Sequence, residues 1–251
     1  MIQFSNVNVR LGRHDVVKDV SFYVNRGEIC VILGQNGSGK TTLLKALSAN
    51  APYTGQILAD GKDLSGLSRR ERAAMIAFMA QNLPSPPVSV EKLISFGRQP
   101  YTGISGILSP ADKRIISQVL RRTGLEYMAK KKVDKISGGE KRKAFFAMML
   151  CQQAPYILAD EPTANLDVIH AKSILEMLVQ RKTAGDGVIT VLHDINQALE
   201  IADKILLMDG GRAAFFGTPR RFCKKNFPLS HFGMERLECI GEDGKKQFIY
   251  K

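Results

Sequence analysis

A glycine-rich loop followed by a lysine and a threonine is the segment best suited to chemistry. Gly34, Gly39, Lys40 and Thr41 fit the pattern G-x-x-x-x-G-K-[ST], with an apolar strand before the loop and a helical run after it. Glycines let backbone N–H groups face phosphate oxygens, and the helix adds its positive dipole end. Lys40 can reach the β- and γ-phosphates, and the Thr41 hydroxyl can ligate Mg²⁺. The segment predicted to bind nucleotide comprises Gly34, Gln35, Asn36, Gly37, Ser38, Gly39, Lys40, Thr41 and Thr42.

Four polar side chains follow other apolar strands and suit phosphate chemistry. Asp160 ends one strand and can hold Mg²⁺ directly or through water, and Glu161 can orient or deprotonate an attacking water. Gln81 can reach the cation or that water, and His193 can hydrogen-bond the γ-phosphate. Each residue alone is an ordinary strand-end residue, and only their joint register with the loop favours a site.

A second small-residue segment opens another helix. Ser137, Gly138, Gly139 and Glu140 place N–H groups and a helix dipole where they can form a second phosphate cradle. One chain cannot supply both cradles to one nucleotide.

Strands and helices that alternate along the chain must position these residues. Residues 2–11 and 16–24 alternate with period two, which predicts an antiparallel sheet with one exposed face. The later strands alternate with helices, which predicts a mainly parallel core sheet. Three prolines between residues 82 and 89 mark a change to helical sequence. We expect an α/β core with an antiparallel β subdomain in residues 1–82 and 154–251, and a helical subdomain in residues 83–153.

Composition limits the class of protein. The chain has 251 residues, 44% of them hydrophobic, with no secretory-type start and no run near the roughly 18 apolar residues of a membrane span. Four scattered cysteines fit a reducing compartment. The net charge of +12 suits an anionic membrane face better than nucleic acid, because the basic clusters lack interleaved aromatic residues.

Five motifs in order resemble those of the ATP-binding cassette (ABC) proteins. Residues 136–140 resemble the signature L-S-G-G-Q, and residues 156–161 resemble the Walker B strand with its glutamate. Asp167 lies in a segment similar to the D-loop, Gln81 is similar to the Q-loop glutamine, and His193 to the switch histidine. The resemblance implies a P-loop NTPase (RecA-like) fold, ATP hydrolysis with Mg²⁺, and two cassettes packed head to tail. It also implies catalytic roles for Glu161, His193 and Gln81, and magnesium ligation by Thr41, Gln81 and Asp160. Ser137, Gly138, Gly139 and Glu140 would then bind the partner's ATP.

Residues 96–103 with 108–112, and residues 193–198, resemble segments of importers for ferric siderophores, haem and cobalamin. That likeness implies permease subunits, an indirect link to a substrate-binding protein, and a place on the cytoplasmic face of the membrane, without nucleic acid. The chain departs from the family at Leu11, where an aromatic residue usually stacks on adenine. It departs again at residues 147–150, where an arginine is missing.

Two function classes remain open, with a third less favoured. The first is the energy subunit of an importer, which residues 96–103 and 193–198 favour. The second is a soluble assembly ATPase, for example of iron–sulfur cluster biogenesis, to which residues 138–143 have some likeness. A tandem translation-type cassette is disfavoured because the chain has one phosphate loop.

Overall fold

A computed structural model describes residues 1–48, 51–102, 106–225, 227–240 and 246–251. The strands in these ranges are β1 (Ile2–Leu11), β2 (His14–Val24), β3 (Ile29–Leu33), β4 (Thr54–Ala59), β5 (Lys62–Asp63), β6 (Ile76–Met79), β7 (Tyr156–Asp160), β8 (Gly187–Val191), β9 (Lys204–Asp209), β10 (Arg212–Gly217), β11 (Arg236–Ile240) and β12 (Lys246–Tyr250). The helices are α1 (Lys40–Leu47), α2 (Arg69–Met75), α3 (Val90–Ser95), α4 (Pro110–Arg122), α5 (Gly138–Cys151), α6 (Val168–Thr183), α7 (Ile195–Ile201), α8 (Pro219–Lys224) and α9 (Phe227–Phe232).

The central sheet has the strand order β10-β9-β3-β8-β7-β6, and its strands run parallel except for β10. β3, β7 and β8 are buried at every position, because helices and a second sheet cover both faces. Parallel strands bring their carboxyl ends to one edge, where the phosphate loop, Asp160 and His193 lie. The predicted P-loop α/β fold is confirmed.

The second sheet has the order β2-β1-β4-β5 and is antiparallel. Ile2, Phe4, Val7 and Val9 of β1 are buried, and the side chains between them are partly or fully exposed. This alternation is the period-two pattern of the sequence. The rings of Phe4 and Phe22 stack at 3.9 Å between centroids and anchor the sheet on the shared core.

The helices between residues 90 and 151 enclose a core of their own, built from residues such as Leu93, Val119 and Phe145. α3 ends at Ser95, and the chain continues as a 3₁₀ helix to Tyr101. The sequence instead predicts a loop that begins at Pro100, so the helical segment is longer than expected. Because this segment has its own apolar core, we propose residues 83–153 as a subdomain distinct from 1–82 and 154–251.

A buried ion pair explains part of the importer-like sequence in this insert. Arg98 Nε donates to Asp112 Oδ1 at 2.8 Å, and Arg98 Nη1 donates to the Cys151 carbonyl at 2.9 Å. A Cβ at Gly97 would lie 2.2 Å from the Met148 carbonyl oxygen. The segment therefore holds α4 and α5 together, and its glycine permits the close approach to α5.

The C-terminal segment packs back on the core. The sequence predicts a hairpin of residues 235–240 and 246–250 around Asp243 and Gly244. β11 and β12 pair antiparallel as expected, and the turn residues lie outside the described ranges. The Asn196 side chain bonds the backbone of Tyr250 twice, at 2.9 and 3.0 Å. Gln35 of the phosphate loop donates to the His231 carbonyl at 3.0 Å. The tail thus contacts both the phosphate loop and the helix after His193.

None of the helices in the described ranges is both long and apolar enough to cross a lipid bilayer.

Candidate functional site

A cavity of about 670 Å³ lies at the carboxyl edge of the central sheet. Nine of its lining residues belong to the predicted site: Asn36, Gly37, Gly39, Lys40, Thr41, Thr42, Gln81, Glu161 and His193. Val16, Ala164 and Asn165 complete the lining and were not predicted. The strand ends therefore bring together residues that are up to 157 positions apart, from Asn36 to His193.

The phosphate loop requires glycine at two crowded positions. Gly34 has φ +149°, and a Cβ there would lie 2.3 Å from the Met208 carbonyl oxygen. Gly39, at the N-cap of α1, has φ +98°, and a Cβ would lie 2.8 Å from the Val16 carbonyl oxygen. The loop thus packs closely against β9 and β2. Ser38 Oγ is buried without a hydrogen-bond partner among the described residues.

Lys40 is folded back on the loop. Its Nζ donates to the carbonyls of Gly34 at 2.7 Å and Gln35 at 2.8 Å. Burial lowers the pKa of Lys40, while the nearby Glu161 and Asp160 carboxylates act in the opposite direction. Phosphate oxygens can replace these two carbonyls as acceptors and add a charge partner.

Asp160 and Thr41 form a polar pair suited to a divalent cation. Thr41 Oγ1 donates to Asp160 Oδ1 at 3.2 Å, and Asp160 is 1% exposed. Burial raises the pKa of Asp160, and the Thr41 hydrogen bond partly offsets that rise. A hydroxyl and a carboxylate oxygen side by side are hard ligands of the kind that Mg²⁺ takes.

Glu161 lies between the two predicted sensors. Gln81 Nε2 donates to Glu161 Oε2 at 2.6 Å, and His193 Nε2 lies 2.7 Å from Glu161 Oε1. The backbone of Glu161 has φ +49°, a left-handed conformation that is rare for residues with a side chain. Each oxygen of the Glu161 carboxylate is thus within hydrogen-bond distance of one of these side chains. Glu161 lines the cavity and has a strained backbone.

Arg142 supports this strained residue and was missed by sequence reasoning. It is 9% exposed, and its Nη1 donates to the Glu161 carbonyl while Nη2 donates to the Gln81 carbonyl at 3.4 Å. Burial lowers the pKa of Arg142, and Glu161 acts against that shift. A signal existed in the sequence: Arg142 lies one turn after Gly139, before an apolar run that must be buried.

The signature residues and the D-loop aspartate lie outside the cavity lining. Ser137 caps α5, with Glu140 N donating to Ser137 Oγ at 3.2 Å and Ser137 N donating to Glu140 Oε2 at 2.8 Å. Hydrogen bonds from the Ser137 backbone and from its side chain lower the pKa of Glu140. Gly138 and Asp167 are exposed. The structure thus keeps this group of predicted residues apart from the phosphate loop of the same chain.

The residue at the usual adenine position does not line the cavity. Leu11 lies at the end of β1 beside the β1–β2 turn and is 46% exposed. Val16 of β2 lines the cavity instead. An aliphatic contact from Val16 is therefore available to a nucleotide base.

Sequence comparison places the chain among ABC proteins. Residues 17–164 match the profile described as ABC transporter. The hemin import ATP-binding protein HmuV of Pseudomonas fluorescens is 34% identical over 94% of this chain and 94% of its own length. The HmuV of Streptomyces coelicolor is 36% identical over 85% of this chain and 76% of its own length. The ferric enterobactin transport ATP-binding protein FepC of Escherichia coli is 32% identical over 83% of this chain and 78% of its length.

Solved structures share the fold. A putative metal-chelate type ABC transporter in an inward-facing conformation matches with a TM-score of 0.85 over 100% of this chain and 97% of that chain, at 24% identity. The ATP-binding cassette MJ0796, in a dimeric post-hydrolysis state with ADP and Pi, matches with a TM-score of 0.77 at 25% identity, over 88% of this chain and 99% of that chain.

Proposed function

The chain belongs to the ABC transporter family as the ATPase of an importer, and we propose that its cargo is an iron chelate (a ferric siderophore), haem or cobalamin. The observation that carries the cargo class is the set of relatives named for hemin and ferric enterobactin import, at 32–36% identity. A further relative is the petrobactin import ATP-binding protein FpuC of Bacillus anthracis. The importer-like Arg98 and Asp112 segment supports the same class. These relatives do not favour a soluble assembly ATPase.

We assign ATP to the cavity at the carboxyl edge of the central sheet. The N–H groups of the phosphate loop, from Gly34 to Thr42, cradle the phosphates, and Lys40 moves its ammonium from two loop carbonyls to phosphate oxygens. Thr41, Asp160 and Gln81 are the proposed Mg²⁺ ligands. When bound, Mg²⁺ neutralises charge on the phosphates and favours the ionised form of Asp160.

Glu161 is the proposed catalytic base. Its carboxylate faces the cavity between Gln81 and His193, at 2.6 and 2.7 Å. Release from either side chain frees an oxygen to accept the proton of an attacking water. His193 can then hydrogen-bond the γ-phosphate, and Gln81 can position the water. When nucleotide binds in the cavity, Gln81 and His193 thus release the Glu161 carboxylate to act as a base.

The signature group completes the site in a second copy of the chain. Ser137, Gly138, Gly139 and Glu140, with Asp167, lie outside the cavity of their own chain. A head-to-tail homodimer places them against the partner's ATP and repeats the site by two-fold symmetry. The dimeric cassette among the structural matches supports this assembly.

A second cavity, of about 960 Å³, is the proposed seat of a permease helix. It is lined by residues that include Tyr53, Arg69, Arg72, Phe78 and Gln152. Among the described residues, Tyr53 Oη and Arg72 Nε are buried without a hydrogen-bond partner. Arg69 and Arg72 bring two guanidinium groups to the cavity lining. Acidic or carbonyl acceptors on a cytoplasmic helix of the permease fit such a lining.

The sequence suggests another docking surface: a groove beside the proline-rich loop after Gln81, lined by Leu83, Val88 and Tyr101. In the structure, however, Leu83 and Val88 are half-buried against the apolar cores. Tyr101 is 40% exposed but donates to the Gln152 carbonyl at 2.9 Å. We therefore propose Arg72 and Tyr53 as the residues that a permease contacts, on the inner face of the membrane. A substrate-binding protein meets the complex only through the permease.

Purification of tagged protein from its own membranes tests the assembly. We expect a polytopic permease to co-purify, and Arg72→Glu to abolish that recovery while Lys62→Glu, an exposed control on β5, preserves it. Recovery of iron–sulfur assembly proteins without a membrane protein would overturn the importer assignment. The purified complex in vesicles then tests the cargo: ATP-dependent uptake of a ferric siderophore, haem or cobalamin supports the proposal. Uptake of another solute class alone refutes the cargo and leaves the importer.

A further inference from the structure

His170 lies between the D-loop and the signature helix of the same chain. Its backbone N–H donates to Asp167 Oδ1 at 2.8 Å, and its Nδ1 lies 2.9 and 2.8 Å from the two Asp167 carboxylate oxygens. The opposite side of the ring faces Gly139 of α5. One imidazole thus contacts two motifs that are separated by 28 positions, from Gly139 to Asp167.

Gly139 admits the ring only because it has no side chain. A Cβ at this position would lie 2.9 Å from His170 Cδ2, 3.0 Å from Cγ and 3.2 Å from Nε2. A Cβ at the neighbouring Gly138 would meet nothing within 4 Å. On its Nδ1 side the same ring is held by both Asp167 carboxylate oxygens. The imidazole thus lies as a spacer between the Asp167 carboxylate and Gly139.

The two motifs that His170 joins share an outward-facing surface. Asp167 is 63% exposed at its side chain, and the next two residues, Val168 and Ile169, are 84% and 80% exposed. An exposed aliphatic pair of this kind suits a surface that packs against another protein chain. This surface does not contribute to the cavity of its own chain.

We propose that His170 is a positioning residue that fixes the spacing between Asp167 and the signature residues, so that both reach the partner's ATP as one unit. The proposal rests on the head-to-tail dimer proposed above. His170 touches neither cavity nor nucleotide of its own chain, and its effect passes through Asp167 and Gly139. Loss of the ring lets the signature helix shift against the D-loop and lowers turnover in the composite site.

Paired substitutions at Gly139 and His170 test the contact. His170→Ala is expected to lower kcat about tenfold, as for a misplaced catalytic group, and to leave ATP binding by the monomer unchanged. Gly139→Ala forces a Cβ against the ring and should lower kcat about a hundredfold. In the His170→Ala background the same glycine substitution should cost at least about tenfold less than it does in the wild type, since the ring that it meets is gone. An equal cost in both backgrounds would overturn the proposal.

A second variant separates the ring from its hydrogen bond. His170→Asn keeps a donor toward Asp167 but leaves the space beside Gly139 empty, so its kcat should match that of His170→Ala. A normal kcat for His170→Asn would contradict the spacer role. Lys172→Ala, exposed on the same helix, is the matched control and should keep full turnover. Thermal melting of each variant excludes unfolding as the cause.

The assembly is checked separately with Glu161→Gln. If this variant forms an ATP-dependent dimer, the head-to-tail assembly stands, and wild-type turnover in all His170 variants would refute the positioning role alone. If it forms no dimer, the assembly fails, and the proposal fails with it.

Discussion

Replacement of Arg142 by alanine should uncouple ATP binding from hydrolysis. Arg142 contacts the backbone carbonyls of Glu161 and Gln81, and it does not line the nucleotide cavity. Without its guanidinium, the Glu161 carbonyl loses a charged donor and the left-handed backbone, at φ +49°, loses its support. We expect the carboxylate to leave its place between Gln81 and His193.

The magnitude follows from the two hydrogen bonds of Arg142. A hydrogen bond that involves a charged group is worth about 1.5–3 kcal/mol, and the bond to Gln81 is long at 3.4 Å, so one bond dominates. If that energy supports the active conformation, its loss lowers kcat by about tenfold to a hundred and fiftyfold. The same loss from the free energy of unfolding lowers Tm by about 3–12 °C at this chain length.

Steady-state ATPase assays and equilibrium ATP binding measure the two effects. kcat should fall while the Kd for ATP stays near the wild-type value, because the phosphate loop is untouched. Lys143→Ala, on the same turn of α5, is the control and should keep both values. A normal kcat in Arg142→Ala, or a loss explained wholly by weaker ATP binding, would refute the role assigned to this side chain.

Further predictions concern the base, the nucleotide, the insert and the tail. Glu161→Gln should retain ATP binding and lose about a hundredfold to ten-thousandfold in kcat, measured by phosphate release, since general-base catalysis contributes that much. Val16→Ala should weaken ATP binding in calorimetry because it removes an apolar cavity contact, whereas Leu11→Ala should not. The Ser109 hydrogen bond and the Arg98 guanidinium hold the pKa of Asp112 below its usual range. The ionised Asp112 therefore stabilises the fold fully above pH about 4, and this contribution is lost as the pH falls through the lowered pKa. In urea unfolding, Asp112→Asn should reduce the fall of the unfolding free energy at acid pH. Asn196→Ala should speed hydrogen exchange at Tyr250, because it removes two bonds worth about 1 kcal/mol each; unchanged exchange would contradict the anchoring of β12.

Local sequence patterns were enough to predict most secondary structure. Ser68, Ser109 and Ser137 cap α2, α4 and α5 through capping boxes, which the sequence can show because each box is complete within four residues. The continuation of α3 as a 3₁₀ helix through Pro100 was not predicted. It depends on Arg98 reaching Asp112 and Cys151, contacts that no local pattern encodes.

From the sequence we could recognise the family, and we could predict the nucleotide loop and the strand-end residues Asp160, Glu161 and His193. Each motif is short, so the backbone geometry of one loop or one strand end fixes the spacing of its residues. The tertiary structure alone decided that Arg142 supports Glu161, that Val16 rather than Leu11 lines the cavity, and that His170 lies against Gly139. The physical reason is that these contacts join elements distant in sequence, whose relative placement depends on how two sheets and an inserted helical core pack together.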